Sequence, residues 1–155
     1  AFLIPSGHLL AASLLITSFV LFDLLDGTMA RLSERGGNKF GALLDSSLDR
    51  VSDGALLLSL AWYLHKLGTS LEVVVYLNLL TGFLISYIRA KAESLEIECS
   101  GGFAERTERL IISLVGIGFA GIGVPYILAG SIWVLFAVSI FTVAQRISIV
   151  YKAGR

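Results

Sequence analysis

Four aspartates carry the most chemistry in this 155-residue chain. Asp23 and Asp26 stand at i, i+3 in Asp23-Leu-Leu-Asp26-Gly27-Thr-Met-Ala30-Arg31, and Asp45 and Asp49 at i, i+4 in Gly41-Ala-Leu-Leu-Asp45-Ser-Ser-Leu-Asp49. On helices, each spacing puts its pair on one face. The connection between the two segments is short, so the helices are expected to be antiparallel neighbours whose four carboxylates converge. No His or Cys lies nearby, and an all-oxygen donor set suits Mg²⁺ or Mn²⁺ rather than zinc. Two divalent ions would offset the four negative charges and leave a site matched to phosphates.

The neighbouring residues agree with that chemistry. Gly27, Ala30 and Gly41 lie about a turn from the carboxylates and leave room for a ligand against the backbone, while Arg31 brings a cation to the same region. In the competing structural reading, the aspartates pair with Arg31 and Arg50 as salt bridges and the glycines only permit close helix packing. Carboxylates at membrane depth are costly, which favours the metal reading for these four. Asp53 is expected to pair with Arg50 or to cap the cluster.

A second constellation is basic. Tyr87-Ile-Arg89-Ala-Lys91-Ala-Glu93, Gly101-Gly-Phe-Ala-Glu105-Arg106-Thr-Glu108-Arg109 and Gln145-Arg146 bring Arg89, Lys91, Arg109 and Arg146 to the same rim as the aspartates. A cationic pocket facing a metal-phosphate site suits a ligand that itself carries phosphate. Arg106 is expected to pair with Glu105 or Glu108 at the surface.

The elements that hold these groups must cross a membrane. The chain is 55% hydrophobic and 15% charged, with mean hydropathy +0.82. Soluble domains average about 25% charged residues. Twelve basic against twelve acidic residues argue against a nucleic-acid binder, and the single Cys99 against a disulfide scaffold. Ala1–Phe22 has no charged residue, nor has Leu110–Gln145. As one helix the latter run would measure about 54 Å, against a hydrocarbon core of about 30 Å, so it folds back, at Gly121-Ile-Gly-Val-Pro125. Five passes are expected, at about 7–25, 41–64, 72–89, 109–124 and 127–149, with no internal repeat. The first run lacks the basic start and small-residue cleavage site of a signal peptide. Alternating the passes leaves Lys66 alone at one side and the other eleven basic residues at the opposite, cytoplasmic side.

The pattern Asp23-x2-Asp26-Gly27-x2-Ala30-Arg31…Gly41-x3-Asp45-x3-Asp49 resembles the signature of the CDP-alcohol phosphotransferase family. The spacer Leu32–Phe40 is one residue longer than the family's usual pattern, around Gly36-Gly37. The resemblance implies an all-α polytopic transmembrane bundle over residues 1–155, commonly a homodimer, with six helices. The sixth is expected upstream of Ala1. It also implies transfer of a phosphatidyl or similar group from a CDP-linked donor to an alcohol, with release of CMP. By the same resemblance, Asp23, Asp26, Asp45 and Asp49 hold Mg²⁺ or Mn²⁺ (two ions), and Asp49 takes the proton of the acceptor hydroxyl. Gly27, Ala30, Arg31, Asn38 and Gly41 line the CDP portion. The Tyr-Ile-Arg-Ala-Lys-Ala-Glu and Gly-Gly-Phe-x-Glu-Arg-x-Glu-Arg stretches are similar to the phosphatidylinositol phosphate-making branch of the family.

The expected function is therefore transfer from CDP-diacylglycerol to inositol phosphate in the plasma membrane. The same reaction with glycerol 3-phosphate is an alternative acceptor reading. A different class remains: the aspartates of a transporter would line a cation or proton path, but that predicts acidic residues at mid-membrane on several passes. The remaining residues have structural expectations. His8, His65, Trp62, Tyr63, Tyr126 and Trp133 belong at interfaces or in packing, Cys99 has no redox partner, and glycines 116, 118, 121 and 123 mark either tight helix packing or a dimer seam.

Overall fold

The computed structural model describes the backbone of residues 2–32, 39–99 and 102–154, and side chains over the same residues except 23–32. Among the described residues every regular element is a helix: α1 (Leu9–Leu32), α2 (Lys39–Lys66), α3 (Leu71–Ser94), α4 (Arg106–Gly121) and α5 (Ile127–Ala153). All five expected segments are helical. Four of the helices run past their apolar stretches, because backbone hydrogen bonding continues into the polar interface after the hydrophobic run has ended. α3 and α5 are each long and apolar enough to cross a membrane, and α1 opens with the apolar run Leu9–Phe22. α2 carries Asp45, Asp49, Arg50 and Asp53 in its first half, and α4 has only 16 residues.

The fold-back falls where the glycines and proline require it. α4 ends at Gly121, and the Gly123 and Val124 amides donate to the Ala120 and Phe119 carbonyls at 3.0 and 3.1 Å. Gly123 takes φ +88°, which costs an L-residue a steric clash and glycine none. Pro125, two residues before α5, cannot continue the first helix.

The helices pack in the order α1–α4–α5–α3–α2. Seams are polar as well as apolar, as suits helices whose surroundings are themselves apolar. Ser13 Oγ donates to the Leu114 carbonyl at 2.9 Å across α1–α4, and Asn78 Nδ2 to the Ile132 carbonyl at 3.1 Å across α3–α5. Ile4, Leu60, Leu64, Val75 and Ile117 are almost fully buried between the helices. Phe19, Trp133 and Phe141 are more than half exposed on the outside, where acyl chains replace water.

Three of the four flagged glycines are intramolecular packing residues. A Cβ at Gly116 would collide with the Ser131 side chain of α5, one at Gly118 would lie 2.9 Å from Ser13 Oγ, and one at Gly121 would strike the Leu10 backbone of α1. α4 therefore slots between α1 and α5 because it is smooth on both sides. At the far end from the acidic segment, His65 Nδ1 meets Glu72 Oε2 at 2.8 Å, and Lys66 Nζ donates to the Pro5 carbonyl at 3.2 Å.

Candidate active site

Asp45 and Asp49 of α2 open onto two cavities. Asp49 lies one turn beyond Asp45 on the same face of α2. A groove of about 580 Å³ runs between α1 and α2, with α4 at its floor; it is lined by Ile16, Phe19 and Val20, by Asp45, Leu48, Asp49 and Leu56, and by Arg106 and Leu110. The aspartate-bearing helices are thus not packed flank to flank, as their short connection suggested. α1 packs on α4 and α2 on α3, which leaves an open seam between them. A chain connection fixes only where helix ends meet, whereas the glycine-smoothed face of α4 fixes where α1 lies along its length.

The second cavity, about 610 Å³, lies between the ends of α2, α3 and α5 and the start of α4. Five arginines line it: Arg50, Arg89, Arg106, Arg109 and Arg146. The carboxylates on its wall are Asp49, Glu93 and Glu105. Asp49 and Arg106 line both the cavity and the groove, so the two spaces meet at this pair.

Ion pairing divides the arginines into committed and available cations. Arg106 Nη1 lies 2.7 Å from Asp49 Oδ1, its Nε donates to Asp53 Oδ1 at 3.2 Å, and its Nη2 to Ser52 Oγ at 3.3 Å. Arg50 Nη2 is 3.6 Å from Asp49 Oδ2, and Arg50 Nη1 donates to Ser86 Oγ. Arg89 is held by Glu93 at 2.9 Å, an i, i+4 pair. Arg146 Nη1 donates to the Ile85 carbonyl at 2.8 Å. Arg109 is half-buried, and among the described residues its guanidinium makes no hydrogen bond or ion pair; the carboxylate that acts on it, Asp53, is already paired with Arg106. A half-buried cation without a carboxylate of its own is costly unless an anion visits it.

The expected residues are distributed as follows. Arg89, Arg109 and Arg146 come together in one cavity. Lys91 does not join them and is exposed on α3. Positions two apart on a helix point about 200° away from each other, so Arg89 and Lys91 cannot both face the same space. Arg106 was expected to pair with Glu105 or Glu108, and instead crosses to Asp49 and Asp53 of α2. Asp53 accordingly pairs with Arg106 and not with Arg50. The signal for Arg106 was its place three residues before Arg109, on the same helix face. Arg50, which the sequence offered only as a pairing partner, lines the cavity as well.

Asp23, Asp26, Gly27, Ala30 and Arg31 lie in the last turns of α1, where only the backbone is described; Asn38 lies outside the described residues. Gly41 is exposed at the start of α2, and a Cβ there would meet no atom within 4 Å. Among the described residues no packing contact explains this glycine, in contrast to those of α4. Among the described residues no cluster of three or more His, Cys, Asp or Glu side chains forms, so α2 supplies half of the expected ligand set. That half fits a hard divalent cation. Its donors are carboxylate oxygens one turn apart, and Asp45 is exposed into the groove without an ion-pair partner among the described residues.

Comparison with known proteins agrees with this geometry. Residues 1–145 match the CDP-alcohol phosphatidyltransferase family. The chain is 44% identical over 154 residues to the phosphatidylinositol phosphate synthase of Corynebacterium glutamicum, covering 97% of this chain and 70% of that protein. It is 45% identical over 148 residues to that of Mycobacteroides abscessus, covering 93% and 66%. Among solved structures, the Mycobacterium tuberculosis phosphatidylinositol phosphate synthase with CDP-DAG bound superposes with a TM-score of 0.88 at 41% identity, over 97% of this chain and 77% of that one. The same enzyme in complex with manganese and citrate gives 0.86 at 40% identity, over 97% and 74%. From a carboxylate pair and an arginine-lined cavity to matched sequence over nearly its full length, this membrane-associated chain belongs to the CDP-alcohol phosphatidyltransferase family.

Proposed function

We propose that this protein transfers the phosphatidyl group of CDP-diacylglycerol to a hydroxyl of inositol phosphate, releasing CMP. The observation that carries the acceptor is the 610 Å³ cavity with five arginines against three carboxylates, meeting the lipid-facing groove at Asp49 and Arg106. Neither a cationic acceptor such as choline nor a neutral one such as free inositol has a use for Arg109, which makes no hydrogen bond or ion pair among the described residues and whose nearby Asp53 is already held by Arg106. The relatives' names point to the same acceptor.

In this reading the donor lies with its acyl chains along Ile16, Phe19, Val20 and Leu56, and its pyrophosphate at the acidic end of the groove. Asp23, Asp26, Asp45 and Asp49 hold divalent ions there, Mg²⁺ or Mn²⁺ and two in number, with Gly27, Ala30, Arg31, Asn38 and Gly41 along the CDP portion. When bound, such ions neutralise the carboxylates and draw charge from the pyrophosphate, which makes CMP a better leaving group. The acceptor phosphate is gripped by Arg89, Arg109 and Arg146, which turns its hydroxyl toward the meeting point of the two cavities. The hydroxyl oxygen forms a bond to the phosphorus that bears diacylglycerol, the bond from that phosphorus to CMP breaks, and CMP leaves with the electron pair. Asp49 takes the hydroxyl proton. Its carboxylate is oriented for this by Arg106 at 2.7 Å and Arg50 at 3.6 Å. The bulk of basic charge at this end of the bundle supports a site that faces the cytoplasm, in this reading from the plasma membrane, and the family resemblance supports a homodimer.

The test is CMP release by the full-length, detergent-purified protein from CDP-diacylglycerol and Mg²⁺, with inositol phosphate, glycerol 3-phosphate, inositol and serine offered separately. Turnover with inositol phosphate alone, abolished by a chelator and restored by Mg²⁺ or Mn²⁺, is the expected result. Preference for glycerol 3-phosphate would keep the site and overturn the acceptor. Absence of CMP with every acceptor would overturn the reaction.

A further inference from the structure

Three arginines of the acceptor cavity come from two elements that must be held in register: Arg106 and Arg109 from α4, Arg146 from α5. Like charges gathered around one space repel each other until an anion arrives, so something else must keep their carriers together. The described residues contain a device of this kind. Thr142, Gln145 and Arg146 occupy a single turn of α5. The Phe103 amide donates to Gln145 Oε1 at 3.0 Å and the Ala104 amide to Thr142 Oγ1 at 3.2 Å. Two residues after Ala104, α4 begins with Arg106.

The Ala104–Thr142 half of the contact is buried and the Phe103–Gln145 half lies at its exposed edge. Thr142 is 0% exposed, Ala104 1% and Arg146 3%. Thr142 Oγ1 donates its own hydrogen to the Val138 carbonyl at 2.8 Å, which turns its lone pairs toward the Ala104 amide. Gly102 lies over the same turn: a Cβ there would come within 3.1 Å of Thr142 Cγ2 and 3.4 Å of Arg146 Nε. On its other side, Arg146 is fixed to α3 through the Ile85 carbonyl.

We propose that Thr142, Gln145 and Gly102 form a clamp that sets the spacing of Arg109 and Arg146, and so are positioning residues for the acceptor phosphate. The proposal rests on the reading that this cavity takes a phosphorylated acceptor. The clamp touches no aspartate of α2 and lines no part of the α1–α2 groove, and Arg106 at the start of α4 is held separately by Asp49 and Asp53, so loss of the clamp acts on the acceptor and spares the lipid donor.

The test measures KM for inositol phosphate and for CDP-diacylglycerol separately in the full-length protein, alongside amide hydrogen exchange over residues 103–110. Thr142→Val keeps the shape and removes the accepting oxygen, Gln145→Leu does the same for Phe103, and Thr142→Ser retains the hydroxyl. Each of the first two raises acceptor KM about fivefold, as expected for one lost hydrogen bond, leaves donor KM within about twofold, and speeds exchange at 103–104. Thr142→Ser restores both readouts. Gly102→Ala, which adds bulk without removing a hydrogen bond, raises acceptor KM in the same way and serves if the other variants fold poorly. Unchanged acceptor KM with faster exchange, or an equal rise in donor KM, would overturn the clamp. If the wild-type protein shows no turnover with inositol phosphate, the acceptor reading fails. The clamp is then judged by exchange and by binding of inorganic phosphate: phosphate binding weakened in Thr142→Val and kept in Thr142→Ser supports it, and equal binding overturns it.

Discussion

Arg109→Gln separates acceptor binding from everything else the site does. Arg106 is a poorer choice, since its removal would leave Asp53 without its cation and Asp49 with only Arg50 at 3.6 Å, disturbing the metal end of the site. Arg109 lines the acceptor cavity and makes no ion pair among the described residues, and Asp53 is held by Arg106, so its loss orphans no anion. A hydrogen bond to a charged group contributes about 1.5–3 kcal/mol, which corresponds to roughly 10–150-fold in kcat/KM for a phosphorylated acceptor. The loss falls on acceptor KM, with donor KM changed by less than about twofold, because Arg109 does not line the α1–α2 groove. Folding stability does not fall, because deleting an unpaired, half-buried cation removes a desolvation cost. The assay is initial-rate CMP release with inositol phosphate varied at saturating CDP-diacylglycerol, then the reverse, with thermal unfolding followed in the same detergent. A loss divided equally between the two substrates, or a lowered unfolding temperature with unchanged acceptor KM, would refute the reasoning.

Two other outcomes follow from the same geometry. Asp49→Asn abolishes turnover yet leaves CDP-donor binding largely intact, as checked by a binding titration beside the rate assay; substantial residual turnover would remove Asp49 as the proton acceptor. Gly121→Ala forces a methyl group against the Leu10 backbone, and overpacking of this kind costs about 1–3 kcal/mol, seen as a lowered unfolding temperature, whereas Gly123→Ala meets no neighbouring residue and strains only its own turn.

The number of helices, the place of the α4–α5 turn and the acidic signature were legible in the sequence because each depends on local order. Charge-free runs set the helices, Gly-Val-Pro punctuates the turn, and i, i+3 and i, i+4 spacings put carboxylates on one face. Helical spacing should also have separated Arg89 from Lys91, since the two residues point to opposite sides of α3. What sequence order could not supply was which helix lies beside which. α4 stands between α1 and α5 because Gly116, Gly118 and Gly121 let both approach, and this opens the groove between the two aspartate-bearing helices. The partner of Arg106 was decided in the same way: Glu105 and Glu108 are its neighbours in the chain, but Asp49 and Asp53 share its half-buried space. A charge-assisted bond is stronger where water is excluded, so tertiary burial, and not proximity along the chain, selected that pair.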